Sequence, residues 1–231
     1  MLWDVDHTLI ETRGVGRAIY ERAFPVATGR PLTELASVSG RTELDIMVET
    51  LRINALPPGD DMVTKLANAL VKGYEDARKE LRTVGRALPG AHDVLAGLSE
   101  EPAIHQSVLT GNLREVARIK LEVFDLDGYL DLASGAYGDD DSDRPRLVAL
   151  AKQRAGERTG VAFDNDATVL VGDTPKDVEA GLAAGVRVIG VATGRTSAQE
   201  LRDVGAHDVV NNLKQCRDTL NRLARHVSNA E

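Results

Sequence analysis

Asp4-Val5-Asp6-His7-Thr8-Leu9 closes a short apolar run and sets two carboxylates two residues apart. On a strand, residues i and i+2 face the same way. Asp4 and Asp6 therefore leave a sheet together, where its first strand meets its first loop. Two like charges this close repel unless something binds them. A divalent cation is the simple remedy, and Mg²⁺ takes carboxylate, carbonyl and water ligands. One reading is an aspartyl nucleophile beside an acid/base carboxylate. The other is a solvated strand-end turn, because Asp and Thr favour turns. The hexapeptide alone leaves both open.

Working outward, two later segments have the same form. Ser107-Val108-Leu109-Thr110-Gly111-Asn112 is an apolar run ending in a hydroxyl and a glycine. Thr168-Val169-Leu170-Val171-Gly172-Asp173-Thr174-Pro175-Lys176-Asp177 is another, ending in Gly-Asp. A helix-like stretch follows each. Thr110 and the free N–H groups of Gly111 and Asn112 at a helix start would suit an anion. Ordinary turn chemistry explains that segment equally well. Pro175 suits a first helical turn and Thr174 its cap, which sets Asp173 just ahead of the helix. Asp177 lies one turn further on, where a carboxylate also favours the positive helix start.

The remaining elements alternate. The first strand runs to about Asp4, and a helix over 17–24 ends at Pro25. Residues 14–85 lack convincing strands. Helical spacing occupies 43–51 and 62–81, where Leu66, Leu70 and Tyr74 recur at four-residue steps, with Pro57-Pro58-Gly59 between. The charged face through Glu75, Asp76, Arg78, Lys79 and Glu80 reads as solvated. Beyond Pro89-Gly90, expected helices cover 91–98, 114–124, 145–158, 175–184 and 213–226. Expected strands cover 104–110, 130–136, 167–172, 186–191 and 209–210. Ser197 and Glu200 form a capping box. Such alternation implies an α/β fold, a doubly wound parallel sheet with ligands at the carboxyl ends of its strands. The expected organisation is a core of residues 1–13 and 86–231, with residues 14–85 inserted as an all-helical domain. Gly14-Val15-Gly16 is only a partial dinucleotide fingerprint and reads as loop and helix start.

Composition narrows the partners. The chain has 231 residues, enough for one large or two unequal domains. It is 42% hydrophobic and 28% charged, ordinary for a globular protein, and only 3% aromatic, so aliphatic side chains must build the core. A net charge of −8 without a basic stripe argues against nucleic acid. No apolar run approaches membrane-spanning length and no signal-peptide pattern is present. The single cysteine, Cys216, cannot form an intrachain disulfide, which fits a cytoplasmic location, and it reads as a buried helix residue. Only Met1, Leu2 and Trp3 precede Asp4, a short first strand that leaves a start further upstream open. Oligomeric state is not readable.

Strand ends bearing Asp/Asp, then Thr, then Asp/Asp resemble those of the haloacid dehalogenase-like hydrolases over essentially the whole chain, most closely the phosphoglycolate phosphatase-like branch with a helical cap. The resemblance implies a Rossmann-like core and a Mg²⁺-dependent phosphatase acting on a small phosphorylated metabolite. It implies that Asp4 attacks phosphorus and that Asp6 is general acid/base. It also implies Mg²⁺ on Asp4, Asp173 and the carbonyl of Asp6, phosphate on Thr110, Gly111 and Asn112, and a supporting role for Asp177. The family's usual lysine is matched by Arg144, ahead of Pro145, with Arg146 a neighbouring cation. Asp139-Asp140-Asp141-Ser142-Asp143 before it reads as a solvated loop. His7 stands where glycine is usual and reads as a turn residue. His92, His105, His207 and His226 have no metal-ligand spacing. Ser39-Gly40-Arg41-Thr42-Glu43 resembles the cap loop over substrate, which makes Arg41 the candidate for specificity or else a surface arginine. A sugar-phosphate mutase and a non-catalytic binding protein of the same fold stay open as alternatives. A dehalogenase would not need Asp6 and Asp173, and a phosphonate hydrolase would want a cap lysine that Lys65, Lys72 and Lys79 do not recognisably supply.

Overall fold

The computed structural model describes residues 1–216, 219 and 220. Strand β1 (Leu2–Trp3) is short because Asp4 follows at once, yet Trp3 is fully buried. The chain turns through β2 (Ile10–Glu11) into four helices, α1 (Val15–Thr28), α2 (Glu43–Ile53), α3 (Asp60–Asp76) and α4 (Arg78–Val84). It returns along β3 (Arg86–Ala87), which pairs antiparallel with β2. Helix α5 (Ala91–Ser99), β4 (Ser107–Val108), α6 (Arg114–Val123), α7 (Arg144–Thr159), β5 (Val169–Gly172), α8 (Pro175–Ala183), β6 (Arg187–Val191), α9 (Ala198–Asp203) and β7 (Asp208–Val210) follow.

The main sheet has the order β4-β1-β5-β6-β7, and all its pairings are parallel. Strand β1 lies between β4 and β5, with Trp3 opposite Val108 and Val171. The Asp4 N–H donates to the Val171 carbonyl at 2.9 Å, so the ladder continues one residue to the first carboxylate. This doubly wound sheet, with helices on its faces, is the fold the alternating pattern implied.

The helical block is held by close approach. A Cβ on Gly73 would stand 2.7 Å from Ile19 Cγ2, and one on Gly16 2.8 Å from the Tyr74 hydroxyl. Glycine at both positions lets α1 and α3 meet. Ile19, Tyr20, Phe24, Leu66, Leu70 and Tyr74 then join the same apolar cluster as Trp3 and Val171. Burying such side chains contributes about 1.5–3 kcal/mol each.

Three expectations differ. Pro25 does not end α1, which runs to Thr28. Pro25 sits on the exposed face with Glu21, Arg22 and Val26, where the loss of one helical N–H is tolerated. The long helix over 62–81 is two helices separated at Ala77. The strand expected over 130–136 is instead short 3-10 turns at Asp127–Tyr129 and Leu132–Ser134. Asp131 accepts from the Ala133 N–H, a local bond that competes with a ladder, and pairs with Arg158 of α7 at 2.5 Å. Only Ala136 bridges to Leu109. The closing helix over 213–226 falls largely outside the described residues, though Leu213 to Cys216 are helical. Cys216 is buried, and burial pushes its thiol up to about 12.

Candidate active site

Asp4, Asp173 and Asp177 meet at the carboxyl end of the sheet, one carboxylate oxygen of each lying within 4.8 Å of the other two. β1 delivers Asp4, β5 delivers Asp173 and the first turn of α8 delivers Asp177. The α8 turn is closed by a capping box. Thr174 Oγ1 accepts from the Asp177 N–H at 3.3 Å, and the Asp177 carboxylate accepts from the Thr174 N–H at 3.0 Å. A Cβ on Gly172 would lie 2.4 Å from Asp177 Cγ, so the strand end has room for no side chain there.

One guanidinium faces the three carboxylates. Arg144 is buried, pairs with Asp177, and approaches Asp4 Oδ1 at 3.7 Å. Among the described residues, its Nε has no hydrogen-bond partner. Two carboxylates 4.8 Å apart repel by roughly 3 kcal/mol at an effective dielectric near 20. Burial pushes the Asp4 carboxyl well up, and Asp177 adds to the rise against the pull of Arg144. Burial, with Asp177 beside it, pushes Asp173 up to about 8. Three buried carboxylates against one cation fit a divalent ion, which prefers such oxygen donors. The orphaned Nε is a donor that fits an anion.

Asp6 does not join this cluster through its carboxylate. Oδ2 accepts from Lys120 Nζ at 2.6 Å and from Asn112 Nδ2 at 2.8 Å. Burial alone would raise its pKa, but the Lys120 charge and hydrogen bond, helped by Asn112, hold it low. Lys120 also donates to Asn112 Oδ1 at 2.6 Å, and Asn112 Nδ2 donates to Thr110 Oγ1 at 2.8 Å. Acid/base candidate and hydroxyl candidate are thus joined through one amide. Helix α6 opens only at Arg114, so the side chain of Asn112, more than a helix-start N–H, makes the connection.

The loop ahead of α2 closes against this edge. A Cβ on Gly111 would lie 2.3 Å from the Arg41 carbonyl, and the Glu43 N–H donates to the Gly111 carbonyl at 2.7 Å. A Cβ on Gly40 would meet Lys176 Cγ at 2.7 Å. Glu43 accepts from the buried Tyr20 hydroxyl, and burial raises its carboxyl. The Arg41 guanidinium turns back to Asp45 at 2.6 Å and to the Ser37 carbonyl. Its side chain contacts none of the clustered carboxylates.

His7 adopts a left-handed φ of 60° and is exposed, which explains why glycine suits this position. Its carbonyl accepts from Thr193 Oγ1 at 2.6 Å. The acidic run is occupied with local structure: Asp139 accepts from the Arg114 N–H, Asp140 pairs with Arg154, and Asp141 accepts from the Asp143 N–H. Arg146 pairs with Asp141 and Asp143 at the surface, away from Arg144's role. His105 bonds Ser134, His207 accepts from the Val188 N–H, and His92 stands edge-on to Tyr129. His226 lies outside the described residues.

Two residues of the site carry no sequence signature recognised above. Thr8, fully buried, donates from Oγ1 to Asp173 Oδ1 at 3.2 Å. Lys120 is 3% exposed and shares the i, i+4, i+7 phase of Val116 and Val123 on α6. A lysine in an apolar helical phase was the available signal.

The haloacid dehalogenase-like hydrolase family matches residues 1–191. The chain is 26% identical over 220 residues to the probable phosphatase IndB of Dickeya dadantii, covering 93% of this chain and 90% of that protein. It is 26% identical over 204 residues to a protein named pyrophosphatase PpaX from Caldanaerobacter subterraneus, covering 83% and 80%. A solved hydrolase from Pseudomonas syringae shares the fold with a TM-score of 0.68 at 23% identity, over 97% of each chain.

Proposed function

Because the chain belongs to the haloacid dehalogenase-like hydrolases, we propose that it is a Mg²⁺-dependent phosphatase hydrolysing a small phosphomonoester metabolite through a phospho-aspartate on Asp4. The observation that carries this reading is the buried meeting of Asp4, Asp173 and Asp177 with the guanidinium of Arg144. A phosphate dianion cannot approach three carboxylates without compensation. Mg²⁺ among Asp4, Asp173 and Asp177, with the Asp6 carbonyl as a further ligand, would neutralise that charge.

The chain's own groups do the rest. Arg144 and the Thr110 hydroxyl bind phosphoryl oxygens, with Gly111 and Asn112 shaping the loop. An Asp4 carboxylate oxygen attacks phosphorus, the bond to the leaving oxygen breaks, and Asp6 gives that oxygen its proton. Asp6 then takes a proton from the water that hydrolyses the phospho-aspartate. Lys120 favours the ionised Asp6 that this second step needs. The approach of a phosphate dianion pushes the carboxyl back up for the first, as a like charge does. Residues 14–85 act as a helical cap, and the 37–43 loop closes the leaving-group side. Arg41 reaches a substrate anion only by releasing Asp45.

Hydrolysis of p-nitrophenyl phosphate tests this. Turnover with Mg²⁺, lost in EDTA and in Asp4→Asn, supports it. Turnover that survives Asp4→Asn removes Asp4 as nucleophile and refutes it.

A further inference from the structure

Lys120 is a lysine where an apolar residue belongs. Taking an ammonium out of water is costly unless partners replace its hydration. Here they do. Its Nζ lies 2.6 Å from Asp6 Oδ2, 2.6 Å from Asn112 Oδ1 and 5.1 Å from the centroid of the Tyr74 ring. Three donors meet a carboxylate, an amide oxygen and an aromatic face, so the ammonium is held from three sides. Asn112, fixed by this contact, sends its own N–H to the same Asp6 oxygen at 2.8 Å. Two donors therefore converge on Oδ2. Among the described residues, none donates to Oδ1, and the Asp6 side chain keeps 34% of its surface exposed.

A carboxylate on a strand-end loop would otherwise turn about its side-chain torsions. Pinned at one oxygen by two donors, it presents the other in one direction. We propose that Lys120 is a positioning residue for proton transfer: it holds Asp6 by Oδ2 and aims Oδ1 at the leaving oxygen. This inference rests on the phosphatase reading above and adds to it a residue from α6, 114 positions along the chain from Asp6. In the step it serves, the Asp4–phosphorus bond forms as the bond to the leaving oxygen breaks. The leaving oxygen keeps that electron pair and receives the proton from Asp6. Misplacing a reacting group by an ångström costs rate steeply, and only a leaving group that needs the proton feels the loss.

The test compares kcat/KM, which reports the phosphoryl-transfer step, for p-nitrophenyl phosphate and phenyl phosphate. The two esters share a ring and differ in leaving-group basicity. In Lys120→Met the preference for the nitrophenyl ester should rise about tenfold, part of the span ascribed to acid–base catalysis. In Asp6→Asn the preference is already raised, and adding Lys120→Met should leave it unchanged. If Lys120→Met does not unfold cooperatively, Lys120→Gln, which keeps one N–H donor, is read by the same ratio, with a smaller rise expected. An unchanged ratio in an active variant overturns the proposal, and so does an equal further rise in the Asp6→Asn background. If the wild-type chain with Mg²⁺ hydrolyses neither ester, the phosphatase reading itself falls.

Discussion

Replacing Arg144 by methionine should be the most damaging single change to the metal-free protein. Its Nη2 contacts Asp177, which is fully buried, and stands 3.7 Å from Asp4 Oδ1. At an effective dielectric near 20, a pair at that separation attracts by about 4–5 kcal/mol. Breaking a buried ion pair by removing one partner costs about 3–5 kcal/mol, because the surviving charge loses its compensation. Here the carboxylates have an escape, since Asp4 and Asp173 already hold protons readily. The expected loss is therefore about 3 kcal/mol, at the low end. Urea unfolding in EDTA at neutral pH measures it, and Mg²⁺ should restore part of the difference by replacing one cation with another. Catalytic efficiency on p-nitrophenyl phosphate should fall about 10²–10³-fold, the usual size for removing a donor to transition-state charge. Arg144→Lys should keep part of both, as a point charge without the planar fork. A stability loss below about 1 kcal/mol, far under the ion-pair range, would refute the reasoning, because the three carboxylates would then not depend on this guanidinium.

Three further outcomes follow from the same geometry. Thr8→Val removes the 3.2 Å bond to Asp173, so half-saturation by Mg²⁺ should rise about tenfold, as for other groups that orient a metal ligand, while unfolding free energy changes little. A titration of activity against Mg²⁺ reads it, and an unchanged midpoint removes Thr8 from the site. Gly111→Ala places a Cβ 2.3 Å from the Arg41 carbonyl, so the 37–43 loop must move. Overpacking costs about 1–3 kcal/mol, and KM should rise more than kcat falls; steady-state kinetics showing neither would mean that the loop does not seat there in solution. In EDTA the Asp173 carboxyl, raised to about 8 by burial and Asp177, binds its proton more tightly folded than unfolded. Its stabilising contribution is therefore fully present below about pH 4, the ordinary unfolded value. It is lost as pH rises toward 8, and Mg²⁺ should abolish that slope. Denaturation of the metal-free protein across this range checks the sign.

The chain's own order of residues determined the sheet and the three strand ends. Apolar runs closing on Asp4, Thr110 and Asp173 specify parallel strands and their carboxyl-end turns, because strand period and turn chemistry act within a few residues. The cap at Thr174 and the capping box at Ser197 were legible for the same reason. Tertiary structure decided what those ends touch. It turned Asp6 away from Asp4 and onto Lys120, brought Asp177 in beside Asp4 and Asp173, and tied Thr8 to Asp173. It also denied residues 130–136 a strand, where the Asp131 carboxylate took the Ala133 N–H and the guanidinium of Arg158 on α7. These contacts join residues far apart in the chain, 165 positions for Thr8 and Asp173 and more for Asp4 and Asp177. No local period encodes such a pairing. It is set when the helices pack, bury a charged or polar group and leave it one partner to meet.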